Sequence, residues 1–442
     1  MTTISKNIDI NKKYVFPDEI VIVRYEELIL VISVGTANWI VLQSEQQLRF
    51  FELLKHNTIN DAIAEFGGLE SDVCHVITQI EAKSFDNLDV KCHFAQRLHI
   101  YLTNSCNLRC PHCYMYAGEK GKDELSTKEV CYVLNCFKNA GGTAVTFSGG
   151  EICMRPDLFE IVKYAYDLEF DVQLMTNGIL WENTLIEKIS PYVSNVQISI
   201  DGYSEDENQK IRGKGSFEKA LSTCDKFVKQ CKSVQIAVTP LYTDDIENQS
   251  TKYAEFGKKL IEKYKDFKFR VIFSSELLDG REVSLSKKQK LIYKQYIDLI
   301  YKKCFGNVVD ISFVEARKKR EIMDGCSFGN LTVSSVGDVY FCGRIPFLRK
   351  AANVRTDSFE HILHLSKIAR KKSNINSLKP CNACELKYIC GGGCRIDYFP
   401  KLTSCADIES LKIESIRPRQ CSIKEKQHYY DLMIRTNEMI FQ

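Results

Sequence analysis

No run of the 442-residue chain is long and apolar enough to span a bilayer, and the opening MTTISKNIDINKKYVF lacks the apolar stretch of a secretory signal. Those two absences set the expectation of a soluble, cytoplasmic protein with no membrane partner. An excess of one charge is missing too. Sixty basic against 57 acidic residues leave a net +3, neither a nucleic-acid footprint nor an acidic tail. The short basic cluster at 367–372 reads as a solvated face. What is plentiful is cysteine: nineteen, an odd number that argues, in a reducing compartment, against a fully paired disulfide framework. A chain of this length buries a sizeable core and has room for two or three domains.

Residues 17–42 carry short β-rich runs, EIVIV, LILVIS and WIVL, separated by RYEE and GTAN. Ser44 followed by Gln47 is a capping-box pattern, and Leu48, Phe51 and Leu54 fall on one helical face. Two further helices are expected around 59–66, ended by Gly67 and Gly68, and over about 69–80. Three strands and three helices in residues 1–90 make a small domain. It resembles the winged-helix-like peptide-recognition domain, related to a pyrroloquinoline-quinone chaperone, that is fused to many enzymes maturing ribosomally made peptides. The resemblance implies a precursor peptide held by its leader, added as a strand to an open sheet edge. A DNA-binding winged helix is the competing reading, but 48–68 lacks the Lys/Arg density that phosphate contact needs, so no nucleic acid is expected.

From about Arg97 the rhythm changes. Apolar runs at 98–103, 143–148, 171–176, 195–200, 234–239 and 268–273 alternate with amphipathic stretches such as 126–139, 157–169 and 216–230. Six such repeats predict an α/β architecture over 91–310: parallel strands with crossover helices, a partial (βα)6 barrel whose active residues lie at the strand C-termini. After the first strand stand Cys106, Cys110 and Cys113. Three thiolates can hold three irons of a cubane and leave the fourth open to a small molecule, whereas structural zinc wants a fourth protein ligand. After the second strand comes TFSGGE: Gly149 and Gly150 permit close backbone approach, and Glu151 can accept from an ammonium group. Asn177 ends the third strand, Ser199 and Asp201 the fourth, and Arg212 follows with a guanidinium suited to a carboxylate. Together these describe a cup for a zwitterionic, ribose-bearing ligand.

The CxxxCxxC spacing joined to Ser148-Gly149-Gly150-Glu151 resembles the radical S-adenosylmethionine superfamily over about 98–275. The resemblance implies a [4Fe–4S] cluster on Cys106, Cys110 and Cys113, its open iron chelated by S-adenosylmethionine. His112 would lie against adenine, Glu151 and nearby backbone would hold the amino group, and Ser199 and Arg212 the carboxylate. Asp201 would stand near the ribose, while Asn177 serves the cofactor or caps its turn. Cleavage of the sulfonium bond would yield a 5′-deoxyadenosyl radical, with an electron donor such as flavodoxin or ferredoxin as partner.

Residues 311–442 read as a metal-organised, cysteine-rich region whose own helix and strand signals are weak. CNACELKYICGGGC sets out Cys381, Cys384, Cys390 and Cys394, with Cys342 and Cys326 upstream. This resembles the SPASM extension, which implies two auxiliary [4Fe–4S] clusters and so three in all. One set is Cys326, Cys342 and Cys394; the other is Cys381, Cys384 and Cys390 with Cys421, Cys405 being the alternative. The first set lacks an obvious fourth thiolate, Cys304 being the nearest upstream, so its iron is open to a substrate sulfur, to water or to a distant residue. Zinc is the competing reading of 381–394.

The function expected is maturation of a ribosomal precursor peptide by an intramolecular thioether or carbon–carbon cross-link. A sulfatase-maturing, formylglycine-generating dehydrogenase is the enzymatic alternative; such relatives carry an aspartate directly after the cysteine equivalent to Cys342, where this chain has Gly343. A non-catalytic iron–sulfur peptide-binding adaptor is the other alternative.

Overall fold

The computed structural model describes residues 8–89, 91–93, 96–306, 321–323, 326–399, 408–410 and 421–441, so Cys405 and the expected boundary at 310–311 lie outside the described residues. The chain opens on an antiparallel meander, β1 (Ile20–Tyr25), β2 (Leu28–Ser33) and β3 (Asn38–Leu42). Glu26, at φ 52°, makes the tight hairpin between the first two. Ser44 caps the helix Glu45–Leu54 by accepting from the Gln47 amide at 3.2 Å, while the Gln47 side chain reaches past the cap to the Gln43 amide at 2.8 Å. Helices Ile59–Phe66 and Glu70–Lys83 follow as expected, the former ended by Gly67 at φ 62°.

The apolar run of β2 and β3 is explained by burial on both faces. Ile29, Val31, Ile40 and Leu42 pack against the three helices, while Leu30, Ile32, Trp39 and Val41 pack against Leu386 and against Tyr430 and Met433 of the last helix, Ile423–Phe441. Trp39 Nε1 donates to the Met433 carbonyl at 3.0 Å, and Tyr25 OH to Asp431 at 2.9 Å. The front sheet therefore closes on the end of the chain, a contact that periodicity within residues 1–90 cannot signal.

After the short β4 (Lys91–His93), the six expected strands appear as β5 (Arg97–Tyr101), β6 (Ala144–Ser148), β7 (Asp171–Thr176), β8 (Asn195–Ser199), β9 (Ser233–Val238) and β10 (Phe269–Phe273), each parallel to its neighbour. The crossover helices include Thr127–Asn139, whose N-cap Ser126 and Glu129 form a reciprocal capping box. One face of every strand enters the core beneath the helices: Leu98 and Ile100, Val145 and Phe147, Val172 and Leu174, Val196 and Ile198, Val234 and Ile236. Alternation then sends His99, Thr146, Gln173, Gln197, Gln235 and Arg270 to the inner face, a polar row that crosses the six barrel strands.

The sheet does not end at the barrel. β11 (Glu321–Met323) pairs with β4, while β12 (Leu331–Val333) pairs in parallel with β5 and is followed by β13 (Asp338–Tyr340) and β14 (Ala352–Asn353) in one nine-stranded order. The cysteine-rich region thus shares the barrel's sheet and core, consistent with its weak signals for a core of its own. The basic cluster at 367–372 departs from the expected solvated face in part: Lys367 and Lys371 are exposed, whereas Arg370 and Lys372 are not. Within helix Phe359–Ser373, Arg370 is turned inward to the Gly329 carbonyl and Asn330, and Lys372 binds the carbonyls of Ile408 and Glu409, each at 2.6 Å.

Candidate active site

The three-cysteine loop leaves the C-terminal end of β5. Reciprocal backbone bonds close it, from Cys106 N to the Gly118 carbonyl at 2.8 Å and from Gly118 N to the Asn104 carbonyl at 2.9 Å. Glu124 fixes its base by accepting from the Asn104 amide and the Thr103 hydroxyl. From the far side of the barrel, the segment after β10 straps it. Arg281 donates to the carbonyls of Cys110 and Ala117 at 3.1 and 2.6 Å, the Glu282 amide to Pro111 O at 2.7 Å, and Gly280 lies so close to the His112 backbone that a Cβ would meet its carbonyl carbon at 2.5 Å.

Gly149 and Gly150 do permit a close backbone approach, and the backbone approached is the cysteine loop itself. Gly150 N and Glu151 N donate to the carbonyls of Thr103 and Ser105, both at 2.8 Å. A Cβ on Gly149, which sits at φ 154°, would meet Thr103 O at 2.5 Å, and one on Gly150 would meet Ser105 O at 2.3 Å. Glu151, 1% exposed, accepts from Thr176 Oγ1 (2.6 Å), Asn177 N (2.7 Å) and Cys153 N (3.1 Å). Burial raises its pKa, and those three donors oppose the rise. Asn177 Nδ2 spans the mouth to Asn107 at 2.9 Å and stands 4.0 Å from Cys106 Sγ.

Opposite lies a buried cluster of Asp201, Arg212 and His112. Asp201 Oδ2 takes Arg212 Nε at 2.6 Å and stands 3.2 Å from His112 Nε2, while Oδ1 accepts from the Thr239 amide at 2.9 Å. Burial pushes the Asp201 carboxyl up, yet the Arg212 cation and His112 outweigh it and hold it well below the usual carboxylate range. Asn208, fully buried and not foreseen, accepts from both the Asp201 and Gly202 amides and so fixes that turn. Asp201 is thereby directed at its own chain, with Arg212 and His112 as the groups it orients. Ser199 closes β8 in register with Ala237 of β9 on the inner face.

These residues suit an iron–sulfur cluster with one open iron. Arg212 puts a cation within reach of both Cys106 and Cys110, Leu108 N donates to Cys106 Sγ at 3.4 Å, and His112 Nδ1 is buried without a partner among the described residues. Burial pushes the Cys106 and Cys110 thiols up, the latter to about 11, so loading a metal there would release protons into a site that already carries the compensating cation.

The C-terminal cysteines have a comparable setting. Arg344 follows Cys342 by two residues, and its guanidinium Nη1 lies 3.2 Å from Cys394 Sγ, so one cation stands against one of the three cysteines expected to share a centre and within electrostatic reach of another. Cys326 is within electrostatic reach of Cys342. Cys304 is buried in the core beside Gly257, away from that set. Gly391, Gly392 and Gly393 all take positive φ, turning the chain from Cys390 to Cys394 in a way side chains resist. Lys426 lies within electrostatic reach of both Cys384 and Cys421. Between the two regions, the hydroxyls of Tyr101 and Tyr114 stand 3.2 Å apart, within electrostatic reach of both Cys113 and Cys342, and Tyr101 donates to the Gly343 carbonyl at 2.6 Å. Below them His99 stacks on Tyr101 with Nε2 buried and without a partner among the described residues; burial lowers its pKa to about 4 and keeps it neutral. Inward-facing polar positions in LHIY and VTFS were the available signal for this wall.

A parallel barrel with a three-cysteine loop on its first strand, an anchored GGE segment and a buried Asp–Arg–His cluster defines a class of iron–sulfur enzymes that bind a small zwitterion at the strand ends. The chain belongs to the Radical SAM superfamily, whose family model matches residues 100–248. It is 30% identical over 321 residues to the AdoMet-dependent heme synthase of Methanosarcina barkeri, an alignment covering 66% of this chain and 89% of that protein. It is 26% identical over 316 residues to the mycofactocin maturase MftC of Mycolicibacterium smegmatis, covering 67% and 77%. The solved structure of native anSMEcpe with bound AdoMet matches at a TM-score of 0.53 and 18% identity, covering 78% of this chain and 98% of that one, which is a likeness of fold.

Proposed function

We propose that the chain is a peptide maturase that installs an intramolecular thioether or carbon–carbon cross-link in a ribosomally made precursor. The observation that carries this reading is the union, in one chain, of the loop bearing Cys106, Cys110 and Cys113, a second cysteine region whose Cys394 lies against Arg344 two residues beyond Cys342, and a front sheet with one edge that pairs with no strand among the described residues.

That edge is β1. The bond from Val34 N to Glu19 O fixes the alternation of the β1–β2 ladder, so the N–H and C=O groups of Ile20, Ile22 and Arg24 point away from β2. At the other edge, Val41 N is bonded to Gln79 Oε1 at 3.3 Å and Val41 O to His75 Nε2 at 2.9 Å, so helix Glu70–Lys83 already occupies β3. An extended leader adds to β1, main chain to main chain.

In the barrel, Cys106, Cys110 and Cys113 would hold the cluster that cleaves S-adenosylmethionine and supplies a hydrogen-abstracting radical. Arg212 would face the methionine carboxylate, His112 the adenine side, and the backbone at Gly149 and Gly150 the amino group; Glu151 and Asp201 orient those groups. Cys326, Cys342 and Cys394, and Cys381, Cys384, Cys390 and Cys421, would hold two auxiliary clusters that carry away the second electron, and a flavodoxin or ferredoxin would deliver the first. The polar inner face from His99 to Arg270 suits a peptide segment with unpaired amides.

The test is anaerobic turnover of the reconstituted enzyme with S-adenosylmethionine and a synthetic peptide from the short reading frame beside the gene. The expected product is lighter by two hydrogens and accompanied by 5′-deoxyadenosine. Thiol alkylation before tandem mass spectrometry separates the bonds, because a thioether leaves its donor cysteine unalkylated. A product with an unchanged mass, or one that gains a methyl group, rejects the reading.

A further inference from the structure

Arg344 has a hydrogen-bond arrangement that the fold alone does not require. Its Nη1 carries two hydrogens but lies within bonding distance of three acceptors: Cys394 Sγ at 3.2 Å, Asp397 Oδ2 at 3.1 Å and Glu276 Oε2 at 3.3 Å. Its Nε is buried and makes no hydrogen bond among the described residues. The ring of Phe347 lies 5.4 Å beneath the guanidinium. The side chain is only one-fifth exposed, so the cation is confined between the segment after β10, which bears Glu276, and the short helix Arg395–Tyr398, which bears Asp397. A guanidinium needed only as a salt-bridge partner would present its fork to the two carboxylates. This one crowds a single nitrogen against a cysteine sulfur and both acids.

We propose that Arg344 is the positioning residue that sets the reduction potential of the cluster held by Cys326, Cys342 and Cys394, making that cluster the acceptor of the electron released when the cross-link closes. The proposal rests on the reading that these cysteines hold an iron–sulfur cluster. Reduction adds one negative charge to such a cluster, and a fixed cation with an N–H on one of its sulfurs stabilises the reduced form more than the oxidised one. The potential therefore rises. Glu276 and Asp397 oppose part of that rise, and their hold on Nη1 keeps the guanidinium against Cys394. The position also places the tuned centre beside the barrel mouth, since Gly343, next in chain to Arg344, accepts from Tyr101 of β5.

The experiment is a potentiometric titration, followed by electron paramagnetic resonance, of anaerobically reconstituted protein in which Cys106, Cys110 and Cys113 are all replaced by alanine, so that only C-terminal iron contributes. The signal belonging to this set is the one lost in Cys394→Ser. Against that background Arg344→Gln is expected to move its midpoint to more negative potential with iron content unchanged, Arg344→Lys to move it less, and Glu276→Gln to move it to more positive potential. The signal of the second auxiliary set should stay where it was. Midpoints unchanged in both Arg344→Gln and Glu276→Gln, or equal shifts of both signals, overturn the proposal. Should Arg344→Gln lose its iron, Glu276→Gln alone decides, with no upward shift counting against tuning. Absence of iron in the background variant instead defeats the cluster reading, and tuning with it.

Discussion

Replacing Asp201 by Asn should unlatch the cofactor side of the barrel, and the size of the effect follows from burial. Asp201 is 1% exposed and its partner Arg212 has a side chain 11% exposed, with 2.6 Å between the bonded atoms. Asparagine keeps an acceptor for the Thr239 amide but leaves the guanidinium buried without a counter-charge. Breaking a buried pair by removing one partner costs roughly 3–5 kcal/mol, a factor of roughly 10² to 10⁴ in the local opening equilibrium. Hydrogen exchange of the amides from Ile200 to Gly213, in metal-free protein so that cofactor loss does not confound it, should speed up by that factor. The double variant Asp201→Asn with Arg212→Gln should recover much of the protection, because the stranded cation is gone. A pH arm checks the sign. Asp201 is depressed in the folded state from its ordinary value of 3.8, so the stabilisation is fully present above about pH 4 and fades as the pH falls below it. Protection of Asp201→Asn within threefold of the parent, or a double variant worse than the single, refutes the reasoning.

Other outcomes follow from particular contacts. Gly150→Ala would drive a Cβ to 2.3 Å from Ser105 O and 2.7 Å from Asn104 O, both backbone atoms, so iron analysis should show loss of the first cluster with C-terminal iron retained. Met433→Ala removes a fully buried side chain between the front sheet and the last helix and should cost about 2–5 kcal/mol, read as a lower denaturation midpoint for the front sheet in exchange experiments. Ile22→Pro deletes an outward N–H that β2 does not use, so precursor affinity should fall at least tenfold by calorimetry while peptide-free cleavage of S-adenosylmethionine persists; unchanged affinity removes β1 as the docking edge.

Much of the barrel was legible because its signals are local and periodic. The six strand positions and the three-cysteine loop depend on alternation and spacing within a few residues, and each expected strand overlaps the observed one. The polar inner row could have been read from the same runs: VQLMT, NVQIS and VQIAV place a glutamine between core residues, a pattern of one wet and one dry face rather than two dry ones. The roles of Gly149 and Gly150 were half legible, since close approach was evident but not that the approaching partner is the cysteine loop. Contacts across long separations left no trace. β12 has three residues and meets β5 more than two hundred positions away, Arg281 reaches back to Cys110, and the last helix covers Trp39. Such pairings depend on tertiary register, for which no window of sequence carries a period. Arg370 and Lys372 were misread for a related reason: charge alone does not reveal that a carbonyl awaits the side chain.

The most direct measurement of the central claim compares the parent protein with the variant in which Cys106, Cys110 and Cys113 are all alanine, both reconstituted anaerobically, by iron and sulfide content and by 5′-deoxyadenosine formed from S-adenosylmethionine under a strong reductant. The account predicts that the variant loses one cluster's worth of iron, keeps the C-terminal iron and forms no 5′-deoxyadenosine. Continued cleavage of S-adenosylmethionine by the variant, or an iron content equal to the parent's, would contradict it.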